Sequence, residues 1–149
     1  MGSWPEAKNV AESEIHGPAL FRGLLLAQGI TTVVVAALAA GIGSRDAALS
    51  VLAGGGIAII AAAWAGFQLW LHPGNRNPER MATAATRAEM GRVAIVLVLL
   101  WLTLSRWPEV RQGAPAMMLF AGFFLVQLAG WIWLAKATGS TQTNTKQNG

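Results

Sequence analysis

The sequence predicts an all-α integral membrane protein, with four transmembrane helices in two antiparallel hairpins and both termini on the cytoplasmic side. Three observations carry this expectation. Of 149 residues, 54% are hydrophobic and only 12% charged, with a mean hydropathy of +0.45, whereas soluble domains carry about a quarter charged residues. Four apolar runs divide the chain, the third of them short, and with their flanks they give four spans of the roughly 20 residues that a helix needs to cross a bilayer. The cations between those runs fall unevenly on the two sides that four crossings define.

The same composition limits function. Four spans with short connections leave no room for a separate soluble catalytic domain. The net charge of +4 and pI near 10.8 report topology and contact with anionic membrane lipid, since no basic patch is interleaved with aromatic residues as a nucleic-acid surface would require. Cysteine is absent, which excludes disulfides, thiolate metal sites and cysteine nucleophiles. Neither His16 nor His72 has a neighbouring acid–base or nucleophile constellation, so the expectation is a protein that is not an enzyme and needs no cofactor.

Residues 1–18 carry Glu6, Lys8, Glu12, Glu14 and His16 and end on Gly17-Pro18, which reads as a polar N-terminal arm with an extended or turning entry to the membrane. The transmembrane domain is expected over 19–135. Its first span, 19–42, is interrupted by Arg22 and Gln28. A short polar turn at Gly43, Ser44, Arg45 and Asp46 follows, and its brevity makes the first two spans antiparallel neighbours. The second span, 47–71, places Ser50, Gly54, Ala58, Ala62 and Gly66 at strict four-residue spacing, a small-residue stripe on one helix face that lets another helix approach closely. Gly54-Gly55-Gly56 inside it lacks the Lys and Ser/Thr of a phosphate loop.

From His72 the chain turns polar, with Pro73, Gly74, Asn75 and Pro78 as breakers, and helix is expected to resume near Arg80. The third span, 88–107, is unusual because uninterrupted apolar sequence covers only 93–104, about 18 Å of helix against a hydrocarbon core of roughly 30 Å. It must recruit Glu89 and Arg92, three apart and therefore on one helix face. The fourth span, 115–135, contains Gln127, and Trp131 and Trp133 suit the interface where it ends. The tail, 136–149, is rich in Thr, Gln, Asn and Gly and is expected to be disordered.

With four crossings, Lys8, Arg22, Arg76, Arg80, Arg87, Arg92, Lys136 and Lys146 share one side, and Arg45, Arg106 and Arg111 the other. The positive-inside rule puts the first group in the cytoplasm. Arg22, Gln28, Gln68, Glu89, Arg92 and Gln127 then all lie in the cytoplasmic half or near the midplane. A polar group in lipid costs several kcal/mol, on the order of 2–7, unless paired, so these six are expected to converge. Two readings stay open, a hydrogen-bonded cluster that fixes helix pairing and a partner-facing or ion-linked site.

Several pieces of this pattern resemble the ATP synthase protein I family, small membrane proteins associated with bacterial F-type ATP synthase. They are the Arg22-to-Gln28 spacing, the Ser-x-x-x-Gly-Gly stretch of Ser50, Gly54 and Gly55, the Glu-x-x-basic pair of Glu89 and Arg92, and a Phe/Gly-rich fourth span from Phe120 to Trp131. The resemblance covers 21–134. The family pattern more often has Gly before the Glu, Lys as its basic partner and Pro-Asn in the second span, where this chain has Ala88, Arg92 and Ala61-Ala62.

The resemblance implies a non-catalytic accessory protein of the bacterial inner membrane that helps assemble the rotor ring of c subunits. An alternative implied for some members is a magnesium or cation transporter subunit with a small two-helix membrane partner. Mg²⁺ takes octahedral oxygen ligands, usually carboxylates, and a single chain offers only Glu89 in the membrane, beside a repelling Arg92. No metal site is expected in one chain, and a cation path would need a homo-oligomer with a ring of Glu89.

Overall fold

The computed structural model describes residues 5–71 and 78–147, with side-chain surroundings over 17–69 and 82–137. Helix α1 runs from Pro5–Ile42. It passes through Pro18 without the turn expected at Gly17-Pro18, so the N-terminal arm is helical from Pro5. An interior Pro removes one backbone hydrogen bond and costs about 3 kcal/mol, yet the Ala, Glu and Lys that precede it favour helix, and membrane helices re-satisfy the freed groups locally.

Gly43 and Ser44 connect α1 to α2, Arg45–Gly66. Ser44 caps α2, its hydroxyl accepting a hydrogen bond from the Ala47 amide at 3.2 Å, and Asp46 sits in the first turn, where a negative charge faces the helix dipole favourably. A π-helical turn, Phe67–Leu71, ends this segment. The polar loop expected from His72 has its residues 72–77 outside the described ones. Helix α3, Pro78–Arg106, opens on a Pro, whose missing N–H is harmless in the first turn. It begins two residues before Arg80, near which helix was expected to resume, and runs through the span expected over 88–107 to Arg106.

A 3₁₀ turn, Pro108–Arg111, leads into α4, Ala114–Gln147. Val110 is buried in that turn, Arg111 Nε donates to the Leu104 carbonyl at 2.5 Å, and Gly113 takes the left-handed φ of 68° that reverses the chain. Helix α4 continues through the tail as far as Gln147, where disorder was expected. A helix already nucleated in an apolar segment extends at the cost of one residue at a time, which outweighs the tail's unfavourable composition.

Among the described residues, four helices are long and apolar enough to cross a membrane, over Gly17–Ile42, Arg45–Leu69, Ala82–Arg106 and Ala114–Ala137. The chain is therefore an all-helical, multi-pass membrane protein. Its centre is α2, which touches each of the other three helices. Ser50, Gly54, Ala58, Ala62 and Gly66 are all buried. The absence of side chains allows backbone approach: a Cβ on Gly54 would collide with the Leu119 carbonyl and lie 2.9 Å from the Phe123 amide of α4. One on Gly122 would lie 2.7 Å from the Val51 carbonyl.

Helix α1 closes over the same core with its own four-residue stripe, Leu24, Gln28, Thr32 and Ala36, all buried. Thr32 fills the space above Gly55 and Phe21 that above Gly66, so the contacts run in opposite order along α1 and α2. Helices α1 and α4 also pack together, Gly23 beneath the Trp133 ring and Gly130 beneath Gln28. Helix α3 behaves differently. Among the described residues it packs on α2 and its π-helical end and forms no seam with α1 or α4. Among the described residues α3 and α4 follow each other through the short 3₁₀ turn but share no packed seam, and the small face of α2 takes α4.

Candidate functional site

A gap follows from this arrangement. Where α3 leans on α2 alone, a cavity of about 190 Å³ opens between α3 and α4, with Ala62 and Gly66 of α2 among its lining residues. Four of the polar residues expected to converge line it: Gln28 from α1, Glu89 and Arg92 from α3, and Gln127 from α4. Helical rise explains why they meet. Gln28 lies fourteen residues before Ile42, Arg92 fourteen before Arg106 and Gln127 thirteen after Ala114, so each is about 20 Å from the far ends of those helices. That is roughly 10 Å inside the near edge of a 30 Å hydrocarbon layer.

Each side chain is held for an identifiable reason. Gln28 belongs to the buried stripe of α1, is 1% exposed, and its carbonyl Oε1 has no hydrogen-bond partner. A buried acceptor left unpaired costs about 1–3 kcal/mol. The Gln28 amide has room there because α4 presents Gly130, where a Cβ would lie 2.7 Å from Nε2. Its backbone carbonyl accepts a further bond from the Thr32 hydroxyl at 2.8 Å.

Glu89 and Arg92 form an ion pair along α3, Nη1 to Oε2 at 3.5 Å. Their exposures differ, 22% for Arg92 and 64% for Glu89, so the guanidinium sits at the cavity wall and the carboxylate at its mouth. Gly91 fixes this segment of α3 against α2, since the Trp64 indole occupies the place where a side chain would project. Trp131, 60% exposed, stands on the α4 side of the opening.

Arg22 and Gln68 do not join the cluster. Arg22 is exposed and lines a shallow apolar groove with Leu25, Leu26, Gly29 and Ile30 on the outer face of α1. Six residues separate it from Gln28, which turns it about 120° away around the helix. Gln68 lies in the π-helical turn, two residues past Gly66 and hence round the helix from the small stripe, in a second groove with Trp64, Thr83 and Arg87. Gly130, Gly91 and Trp64 join the site without being among the six residues expected there. The available signals were a Gly three residues after Gln127 and a Gly between Glu89 and Arg92, each a poor helix former held at a polar position.

The model of the family described as ATP synthase I chain matches residues 23–124, more than two thirds of the chain. The chain belongs to the ATP synthase I chain family. No curated protein and no solved structure gives a significant match. The matched segment includes Gln28, Glu89, Arg92 and the whole small-residue stripe, and leaves out Arg22, Gln127 and Trp131. Among the described residues, no group of three or more His, Cys, Asp or Glu side chains is placed to hold a metal ion, and the Glu89 carboxylate already faces a cation in Arg92.

Proposed function

We propose that the chain is a non-catalytic accessory protein of the F-type ATP synthase that holds c-subunit helices during assembly of the rotor ring. It works from the bacterial inner membrane with both termini in the cytoplasm, the orientation favoured by eight cations against three. The observation that carries the reading is the open, polar-lined cavity beside a helix packed on one neighbour only. Helix association in lipid is driven by close packing and interhelical hydrogen bonds, and this place offers both: exposed apolar α3 surface and polar groups of which Gln28, Arg92 and Gln127 share one depth. Membership of a family described as an ATP synthase chain supports a client within the synthase.

A cation-transport role finds no comparable support, since the one carboxylate at the cavity is paired with a guanidinium. The test is recovery of the client. The tagged chain, crosslinked in its own membranes and gently solubilised, is expected to bring down c subunit in excess of other membrane proteins of similar abundance. Recovery of no synthase component overturns the proposal.

A further inference from the structure

The cavity has a chemical preference of its own. We propose that it receives the neutral carboxylic acid side chain of a partner transmembrane helix, and that this group is what Gln28 and Arg92 recognise. The inference deepens the helix-holding reading above and rests on it.

The Gln28 Oε1 atom is a buried acceptor without a donor. Arg92 presents a planar fork of donors, of which one nitrogen faces Glu89 at 3.5 Å. A ligand that satisfied both groups would donate one hydrogen bond and accept another. A protonated carboxyl does both, its O–H donating to Gln28 Oε1 and its C=O accepting from the guanidinium, a pairing that suits the planar donor fork of Arg92. Donation to Gln28 needs the acid in its protonated form, which the apolar surrounding and the Glu89 carboxylate favour and the Arg92 guanidinium, already balanced by Glu89, opposes.

Size and depth point to a side chain and not a lipid headgroup. About 190 Å³ is roughly six times the share of liquid volume of a water molecule, near 30 Å³, enough for one side chain and far too little for a helix about 10 Å across. The polar groups lie roughly 10 Å inside the hydrocarbon edge, below the plane that headgroups occupy. The partner helix would lie outside the opening, beside Glu89 and Trp131, and send one residue inward.

A host-peptide series tests this without any c subunit. The purified full-length chain in lipid nanodiscs is titrated with labelled Leu-rich transmembrane peptides that carry Leu, Gln, Asp or Glu at one position roughly 10 Å below the inner edge, with affinity read by energy transfer. The acidic peptides are expected to bind about tenfold tighter than the Leu peptide, the gain of two intramembrane hydrogen bonds, and Gln28→Leu to remove that gain while leaving Leu-peptide binding in place. Equal binding of all four peptides overturns the proposal, and Gln binding as tightly as Glu overturns the carboxyl assignment. Retention of c subunit by a chain that shows no preference among the peptides removes this inference and leaves the assembly role standing. Loss of c subunit together with a clear acidic preference does the reverse.

Discussion

Helices α2 and α3 are similar in length within the membrane and opposite in use. Half of the most apolar window of α2 is buried, against 6% of that of α3. Helix α2 carries residues so small that backbones of α4 and side chains of α1 rest directly on it. Helix α3 carries large apolar side chains that face outward, among them Leu97, Val98 and Trp101, together with the Glu89–Arg92 pair. In lipid an apolar surface gains little by burial, so close packing decides which helices associate. The chain thus has a fixed core of α1, α2 and α4 and one helix attached along a single side. The polar cluster sits at the join.

Substitutions break this contrast in a definite order. The largest effect is expected from Gly54→Leu, whose side chain meets the α4 backbone at Leu119 and Phe123. Overpacking against backbone should cost at least about 3 kcal/mol, seen as a loss of folded protein in detergent unfolding. Gly91→Leu displaces Trp64, a side chain with room to move because it is partly exposed. Its cost should be smaller, about 1–2 kcal/mol, and a spectroscopic distance between α2 and α3 should lengthen while that between α2 and α4 stays fixed.

Gln28→Leu should act in the opposite direction. Removing an unpaired buried acceptor and leaving an apolar side chain of similar size relieves about 1–3 kcal/mol, so the variant should unfold later than the parent while recovering less c subunit. A stabilised variant with undiminished recovery would separate the cluster from partner binding. Glu89→Gln removes one half of an ion pair that is 64% exposed on the acid side, and its effect on stability should be within about 1 kcal/mol. Trp101→Ala, on the outer face of α3, should change stability by less than about 0.5 kcal/mol.

Depth along a helix was legible in the sequence, and rotation around it was not. The 1.5 Å rise per residue is enough to put Gln28, Arg92 and Gln127 at one level, and the four-residue spacing of Ser50, Gly54, Ala58, Ala62 and Gly66 marks the buried face of α2. Arg22 and Gln68 share that half of the membrane but point elsewhere, because the rotation of α1 is set by Leu24, Gln28, Thr32 and Ala36 packing inward, and α2 changes to π-helical geometry at Phe67. The choice of partner for α4 also depends on which faces are flat enough to meet, which a list of spans does not contain. Pro18 and the residues after Lys136 each lie in a helix that an apolar segment has already formed, and local composition alone does not carry that continuation.

The most direct test of the account places a crosslinker on each side of the molecule. The chain has no cysteine, so single cysteines can be introduced at Trp131, beside the cavity, and at Val34, on the outer groove of α1. A short lipophilic crosslinker in native membranes should join position 131 to c subunit and leave position 34 unlinked to it. Equal adducts from both positions, or an adduct from 34 alone, would contradict the assignment of the α3–α4 cavity as the place where a partner helix is held.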